Sequence, residues 1–145
     1  MSTAIVSAED NKAFVRRFIE EYYNQGNLSL ADQFVTADWV RSELFSPNKF
    51  HGVQGAKEVA TKWRSAFPDL HLTVNEMIAE GQQVATYWTF TGTHQGQLDD
   101  IAPTGKKVTT SGISLSRIVN GKFTEEVVAT DLLSLLKQLG VIPGN

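Results

Sequence analysis

A single aspartate, Asp131, stands where a strand pattern gives way to a helix pattern. Residues 123–130 are rich in β-branched side chains, and leucines then recur at helical spacing from Leu132 to a stop at Gly140. A carboxylate at this junction can cap the helix by accepting backbone N–H groups. It can instead project into a cavity between sheet and helices and act as an acid or base. The pattern by itself favours the cap, and both interpretations stay open.

The strand that precedes Asp131 sets the direction of its side chain. Successive side chains in a regular strand alternate between the two faces of a sheet. We therefore expect one face to carry alternate residues of this strand together with Asp131: Phe123, Glu125, Val127 and Ala129.

A second titratable residue, His94, ends another predicted strand. Within residues 84–94 it shares a face with Trp88 and Phe90 if no bulge intervenes. The pattern favours a hydrogen-bonded histidine near the rim of a pocket over a catalytic partner of Asp131. The histidines lie far apart and lack metal-ligand spacing, so no metal site is predicted from His51, His71 and His94.

Aromatic residues are the candidates for lining a substrate cavity. Those that we expect to contact a hydrophobic substrate are Tyr22, Trp39, Trp63, Trp88 and Phe90. Such residues more often form plain core. In a fold with an internal pocket the two interpretations overlap, because the core continues into the pocket lining.

Composition narrows the classes of function. The 145 residues suit one domain with a substantial core. A net charge of −3 and the lack of a basic cluster argue against nucleic acid or an anionic membrane as a partner. The absence of cysteine excludes disulfides and thiol chemistry. The N-terminus lacks a signal-peptide pattern and no segment is long enough to span a membrane, so the expected location is cytoplasmic.

The elements that must position these residues fall into two groups. Capping-box patterns at Ser7 and Ser29 predict two N-terminal helices, and residues 54–67 predict a third. The period then changes to two, which predicts four strands that start near residues 70, 84, 108 and 123. Helices followed by long meandering strands indicate an α+β fold. A bent sheet with helices over its concave face leaves a cone with a pocket inside.

Several short motifs, in this order along nearly the whole chain, resemble one known family. They are Phe67-Pro68-Asp69, Gly92-Thr93-His94 with Gly96, Pro103-Thr104-Gly105, Gly121-Lys122, and Asp131 with Gln138-Leu139-Gly140. Together they are similar to the SnoaL-like polyketide cyclases of the nuclear-transport-factor-2-like (NTF2-like) superfamily. The resemblance implies a cone-shaped NTF2-like fold, with N-terminal helices packed on a strongly bent, mostly antiparallel sheet.

The resemblance also implies a chemistry. Members catalyse a cofactor-independent intramolecular aldol condensation that closes a ring on a polyketide-derived ester, and the residue matching Asp131 acts as general acid/base. The substrate is then a hydrophobic, cyclic small molecule, with His94 as a possible second catalytic group. Val127 takes the place of a common family tryptophan and is expected in the pocket, whereas family histidines near residues 39–43 and 115–117 are absent.

Other functions on the same scaffold stay open. One alternative is a non-catalytic small-molecule binding domain in which Asp131 only caps its helix. Another is a steroid-type isomerase. A homodimer is expected from the resemblance and because one face of the bent sheet lacks enough helix to cover it.

Overall fold

The computed structural model describes residues 7–144, which form helices followed by a single curved sheet. The α-helices in this part of the chain are α1 (Ala8–Arg17), α2 (Ala31–Phe34), α3 (Gly52–Ala66) and α4 (Leu132–Leu139). The strands are β1 (Val35–Glu43), β2 (Ser46–His51), β3 (His71–Glu80), β4 (Gln83–Thr93), β5 (Lys107–Val119) and β6 (Lys122–Thr130). No helix within these residues is long and apolar enough to cross a membrane.

The sheet has the strand order β2-β1-β6-β5-β4-β3. All neighbouring pairs are antiparallel except β1 and β6, which are parallel. The predicted α+β order is confirmed, and the four predicted strands correspond to β3 to β6. Strands β1 and β2 extend the sheet beyond β6: β1 pairs with β6, and β2 forms the outer edge.

Strand β1 is absent from the predicted strands because charged residues interrupt its apolar face. Its buried positions alternate as Trp39, Arg41 and Glu43, so charged side chains occupy the inner face. A half-buried strand is normally recognised by apolar residues on that face. The charges therefore concealed the strand, and they also mark the site described below.

The N-terminal helix begins as the sequence predicts and then changes type. Ser7 Oγ accepts a hydrogen bond from the Asp10 N–H at 3.0 Å, and the Asp10 carboxylate accepts from the Ser7 N–H at 3.3 Å, which completes the capping box. Helix α1 continues as a π-helix over Phe18–Asn24. Its wider turns bring buried aromatic rings together, with Phe18 stacked on Tyr22 at 5.2 Å between ring centroids.

The second predicted capping box does not form. A 3₁₀ turn, Leu28–Leu30, precedes α2, and no side chain caps the first turn of α2. Helix α3 starts two residues earlier than predicted, at Gly52, where a φ of +65° suits glycine.

An extra residue in β6 decides which side chains point inward. Arg117 pairs with Glu125, and the next residue of β5, Ile118, pairs with Phe123. Thr124 is therefore a β-bulge, with two residues of β6 opposite one of β5. The prediction that Phe123 shares a face with Glu125 is wrong for this reason, since Phe123 and Glu126 both lie on the buried inner face.

Candidate active site

A cavity of about 80 Å³, partly open to solvent, lies between the concave face of the sheet and the N-terminal helical segment. Because one water molecule needs roughly 10–15 Å³ of such space, the cavity has room for several. Its apolar lining consists of Val15, Phe18, Ile19, Trp63, Leu70, Leu72, Trp88, Phe90, Phe123 and Val128. Its polar lining consists of Tyr23, Arg41, Thr86, Ser114, Ser116, Glu126 and Thr130.

The aromatic residues expected around a substrate divide into two groups. Trp63, Trp88 and Phe90 line the cavity. Tyr22 and Trp39 are buried in the core but are not among the lining residues.

Val127 lies on the outer face of the sheet, opposite to the cavity. It pairs with Leu115 of β5, and both side chains belong to the outward set. The bulge at Thr124 fixes this arrangement, because it places Glu126 and Val128 inward and the residue between them outward.

The polar lining residues form adjacent rows across the strands. Arg41 of β1 pairs with Glu126 of β6, which pairs with Ser116 of β5. In the neighbouring row Ser114 of β5 pairs with Thr86 of β4. An otherwise apolar pocket thus has a polar strip along its sheet side.

Glu126 is the carboxyl group inside the pocket. It is only 4% exposed, and Trp39 Nε1–H donates a hydrogen bond to its Oε1 at 3.3 Å. Burial raises the pKa of Glu126 to about 7, although the Arg41 charge and the Trp39 hydrogen bond both act to lower it. The raised pKa brings this carboxyl toward the range in which one group can act as both acid and base at neutral pH.

Arg41 supplies a positive charge beside that carboxyl. The residue is 9% exposed, and its Nη2 lies 3.8 Å from Oε2 of buried Glu43. Within residues 7–144, Arg41 Nε and Thr86 Oγ1 are buried and have no hydrogen-bond partner. Both residues line the cavity, while these two atoms are themselves buried.

Tyr23 adds a phenol to the same wall. Burial raises its pKa to about 12, partly opposed by the charge of Arg41. The phenol is therefore neutral at physiological pH and can donate a hydrogen bond.

Asp131 occupies the cap position and its side chain is exposed. Its Oδ1 accepts a hydrogen bond from the Ser134 N–H at 3.1 Å, at the start of α4. The preceding residue, Thr130, lines the cavity, but Asp131 is not among the lining residues. The geometry is that of the helix-cap interpretation.

His94 is fully buried beside the chain that follows β4 and does not line the cavity. Its Nδ1 accepts a hydrogen bond from the Thr104 N–H at 3.1 Å and lies 3.0 Å from Thr104 Oγ1. Burial lowers the pKa of this imidazole. Its ring centroid lies 5.3 Å from that of Phe67. The contacts of His94 with Phe67 and Thr104 thus hold residues 94–104 against the core.

The structure does not bring the remaining histidines together. His51 and His71 are exposed, and the described chain contains no group of three or more histidine and acidic side chains that could hold a metal ion.

Sequence reasoning missed Glu126 and Arg41, which are the charged residues of the pocket. The available signal was a charge at every second position of a short segment, Arg41 and Glu43 after Trp39. For Glu126 the sequence shows only an adjacent pair with Glu125. The bulge decides which of the two points inward.

Comparisons with known proteins agree with this architecture. A family model described as SnoaL-like polyketide cyclase matches residues 13–139. The chain is 28% identical over 128 residues to aklanonic acid methyl ester cyclase DnrD from Streptomyces peucetius, covering 87% of this chain and 88% of that protein.

Solved structures are similar over most of their lengths. AclR from Streptomyces galilaeus superposes with a TM-score of 0.83 at 29% identity, covering 94% of this chain and 85% of that chain. A SnoaL-like protein from Jannaschia sp. CCS1 superposes with a TM-score of 0.86 at 21% identity, covering 99% of both chains, which shows the shared fold. With the bent sheet, the helices over its concave face and a family match over most of its length, this chain belongs to the SnoaL-like polyketide cyclase family.

Proposed function

We propose that this protein is a cofactor-independent cyclase that closes a ring of a hydrophobic ester by intramolecular aldol addition, with Glu126 as general acid/base. The observation that carries the proposal is a buried carboxyl, Glu126, in the wall of a mainly apolar pocket. A carboxyl in such a place is a common feature of proton-transfer sites.

The chemistry needs one group that both takes and gives a proton. The Glu126 carboxylate removes a hydrogen from the carbon beside a carbonyl group, and that carbon bonds to a second carbonyl carbon of the same molecule. The Glu126 carboxyl then protonates the resulting alkoxide, so the product is an isomer of the substrate. A pKa near the working pH suits both steps.

The apolar walls supply the other requirement, which is to hold the chain folded. The aromatic residues Trp63, Trp88 and Phe90 are part of the pocket lining. Holding two reacting carbons together removes much of the entropic barrier to ring closure. A flat aromatic or polycyclic ester fits this environment.

The family resemblance assigns the acid/base role to Asp131 instead. In that version the exposed cap residue, next to Thr130 of the lining, acts on a substrate that reaches the pocket mouth, with His94 in support. The pocket position of Glu126 favours Glu126, and the two versions make opposite predictions for single amide substitutions.

The relative DnrD acts, by its name, on aklanonic acid methyl ester, so this ester is a suitable first substrate. We expect wild-type protein to convert it, without added cofactor, to a product of unchanged mass. Glu126→Gln should lower the rate by roughly 10²–10⁴-fold, the usual contribution of acid–base catalysis. Glu125→Gln, on the outer face, is the matched control. Loss of activity in Asp131→Asn, with Glu126→Gln active, would reverse the assignment.

A steroid-type isomerase is the second candidate, and the same observation supports it. One carboxyl in an apolar pocket suffices to move a proton between two carbons of a conjugated ketone. If the ester is not converted, a shift of the double bond in a β,γ-unsaturated ketone is the next assay. Binding without any conversion would instead identify a non-catalytic binding domain.

We also propose that the protein is a homodimer. The outer face of the sheet exposes apolar side chains on neighbouring strands, including Ile78, Tyr87, Ile113 and Leu115. A contiguous apolar face of this kind is typical of a protein interface.

A further inference from the structure

The side chain of Arg41 has a donor that the fold does not use. The guanidinium lines the pocket, yet its Nε–H meets no acceptor among residues 7–144. Buried donors are nearly always paired in folded proteins. An unpaired donor in a guanidinium that lines a cavity therefore shows that this group has hydrogen-bonding capacity left for a ligand.

The charged groups around Arg41 do not account for that donor. Glu43 approaches the other end of the guanidinium, Nη2, at 3.8 Å, which is longer than a hydrogen bond. Glu126 is the neighbour across β1 and β6. Tyr23 is the remaining titratable residue of this wall and is a neutral phenol.

We propose that the guanidinium of Arg41, through the N–H groups that reach the cavity, binds the substrate oxygen that gains negative charge when Glu126 removes the adjacent proton. This inference rests on the proposed function and names its substrate class. The substrates are carbonyl compounds with an acidic C–H on the carbon next to the carbonyl group, such as enolisable esters and ketones.

The register of the sheet places Arg41 and Glu126 side by side, so that one can bind the oxygen and the other can remove the proton. Arg41 and Glu126 are directly paired on adjacent strands, with both side chains in the pocket lining. Neighbouring strands lie about 4.8 Å apart. Two side chains on adjacent strands can therefore converge on one carbonyl compound, so that one contacts the oxygen while the other takes the proton from the next carbon.

The electron balance is simple. The C–H bond breaks, its proton bonds to the Glu126 carboxylate, and its electron pair moves to the carbonyl oxygen held by Arg41. On ring closure that pair forms the carbonyl bond again, and the C=C pair of the enolate makes the new C–C bond. The π pair of the second carbonyl moves to its oxygen, and this alkoxide takes the proton from Glu126.

A coloured phenol tests the inference without turnover. The probe is 1,8-dihydroxyanthraquinone, whose absorption changes on ionisation, bound to the protein and titrated with base. In the wild-type pocket, the nearby guanidinium should lower the probe's pKa by about one unit or more relative to the free probe. Glu126→Gln should lower it further, because that change removes the carboxylate that competes for Arg41.

The variants are chosen so that folding does not decide the outcome. Arg41→Gln alone would leave Glu43 buried without a cation. The comparison is therefore between Glu43→Gln and the double variant Arg41→Gln/Glu43→Gln. We expect the probe's pKa to rise by about one unit or more in the double variant. Arg41→Lys should keep part of the wild-type effect.

An unchanged probe pKa in the double variant, or a probe that does not bind the wild-type protein, would overturn the inference. Its failure is distinct from that of the proposed function. If the ester is not cyclised but the probe's ionisation depends on Arg41, the cyclase proposal fails while anion binding by Arg41 stands. If the ester is cyclised and the probe's pKa does not depend on Arg41, the cyclase proposal stands while anion binding by Arg41 fails.

Discussion

The carboxyl of Glu126 is held in the pocket wall by Trp39, beside the cation of Arg41 and away from bulk water. Burial disfavours its ionised form more than these two groups favour it, so the pKa lies near 7. A raised carboxyl pKa opposes folding as the pH climbs above the unfolded value of 4.5, and the penalty becomes constant above the folded value.

This penalty predicts how Glu126→Gln changes stability with pH. The amide cannot ionise, so the free energy of unfolding of the variant minus that of wild type should rise between pH 4 and pH 8. The expected rise is about 3 kcal/mol, and denaturant unfolding at the two pH values measures it. A difference that falls over the same range would mean that Arg41 outweighs burial.

Asp131 gives a second prediction at the residue scale, because its exposed side chain caps α4. Asp131→Ala should cost about 1 kcal/mol of unfolding free energy, whereas Asp131→Asn keeps a capping oxygen and should be nearly neutral. Equilibrium unfolding at neutral pH compares the two variants. Equal losses in both would show that the charge itself, and not the cap, stabilises this junction.

At the residue scale, the sequence predicts those features that depend only on the spacing of nearby residues. The Ser7 capping box and the aromatic lining residues Trp63 and Trp88 could be read from spacing. Glu126 and Arg41 could not, since nothing local separates a charged residue in a pocket wall from one on a solvated face. That distinction depends on which strands become neighbours.

At the scale of elements, two features of the strands could not be predicted from the spacing of hydrophobic residues. The bulge at Thr124 reverses the alternation in the middle of β6, and a period of two has no means of showing an inserted residue. Strand β1 carries charges inward, so its pattern is the opposite of the usual signal. Both departures occur where the site is built, while the pairing of β4 with β5 is regular along its whole length.

Packing between β4, β5 and β6 leads to a third prediction. A Cβ at Gly112 would lie 2.5 Å from the Ala129 carbonyl oxygen and 2.5 Å from Cζ2 of Trp88, a lining residue. Gly112→Ala should therefore displace the Trp88 indole and cost roughly 1–3 kcal/mol of stability.

Thermal or denaturant unfolding measures that loss, and Trp88 fluorescence should change with it. Gly144→Ala is the control, because a Cβ there meets nothing within 4 Å. Wild-type stability in Gly112→Ala would mean that the strand backbone moves aside at little cost.

At the scale of the whole molecule, the sheet has one face over the pocket and one face outward. Paired outward positions such as Tyr87 and Ile113 make a continuous apolar surface, with Ile113 53% exposed. The α+β architecture and the concave pocket followed from the order of helices and strands. An outer sheet face without enough helix to cover it was also expected, and it is the basis of the homodimer proposal.

The homodimer proposal predicts the effect of a charge on that surface. Ile113→Lys should convert the dimer to monomer at micromolar concentration, because an ammonium group would be buried without a partner. Sedimentation velocity distinguishes the two states. Leu44→Lys changes an exposed leucine of the β1–β2 turn and should leave the dimer intact. Wild-type protein that sediments only as monomer would contradict the proposal.

The most direct test of the central claim follows the proton itself. Aklanonic acid methyl ester is incubated in deuterium oxide, and mass spectrometry measures exchange of the hydrogen on the carbon next to its ester group. We predict rapid exchange with wild-type protein and with Asp131→Asn, and exchange at the uncatalysed rate with Glu126→Gln. Rapid exchange with Glu126→Gln, or exchange lost only in Asp131→Asn, would contradict the assignment of Glu126 as the acid/base group.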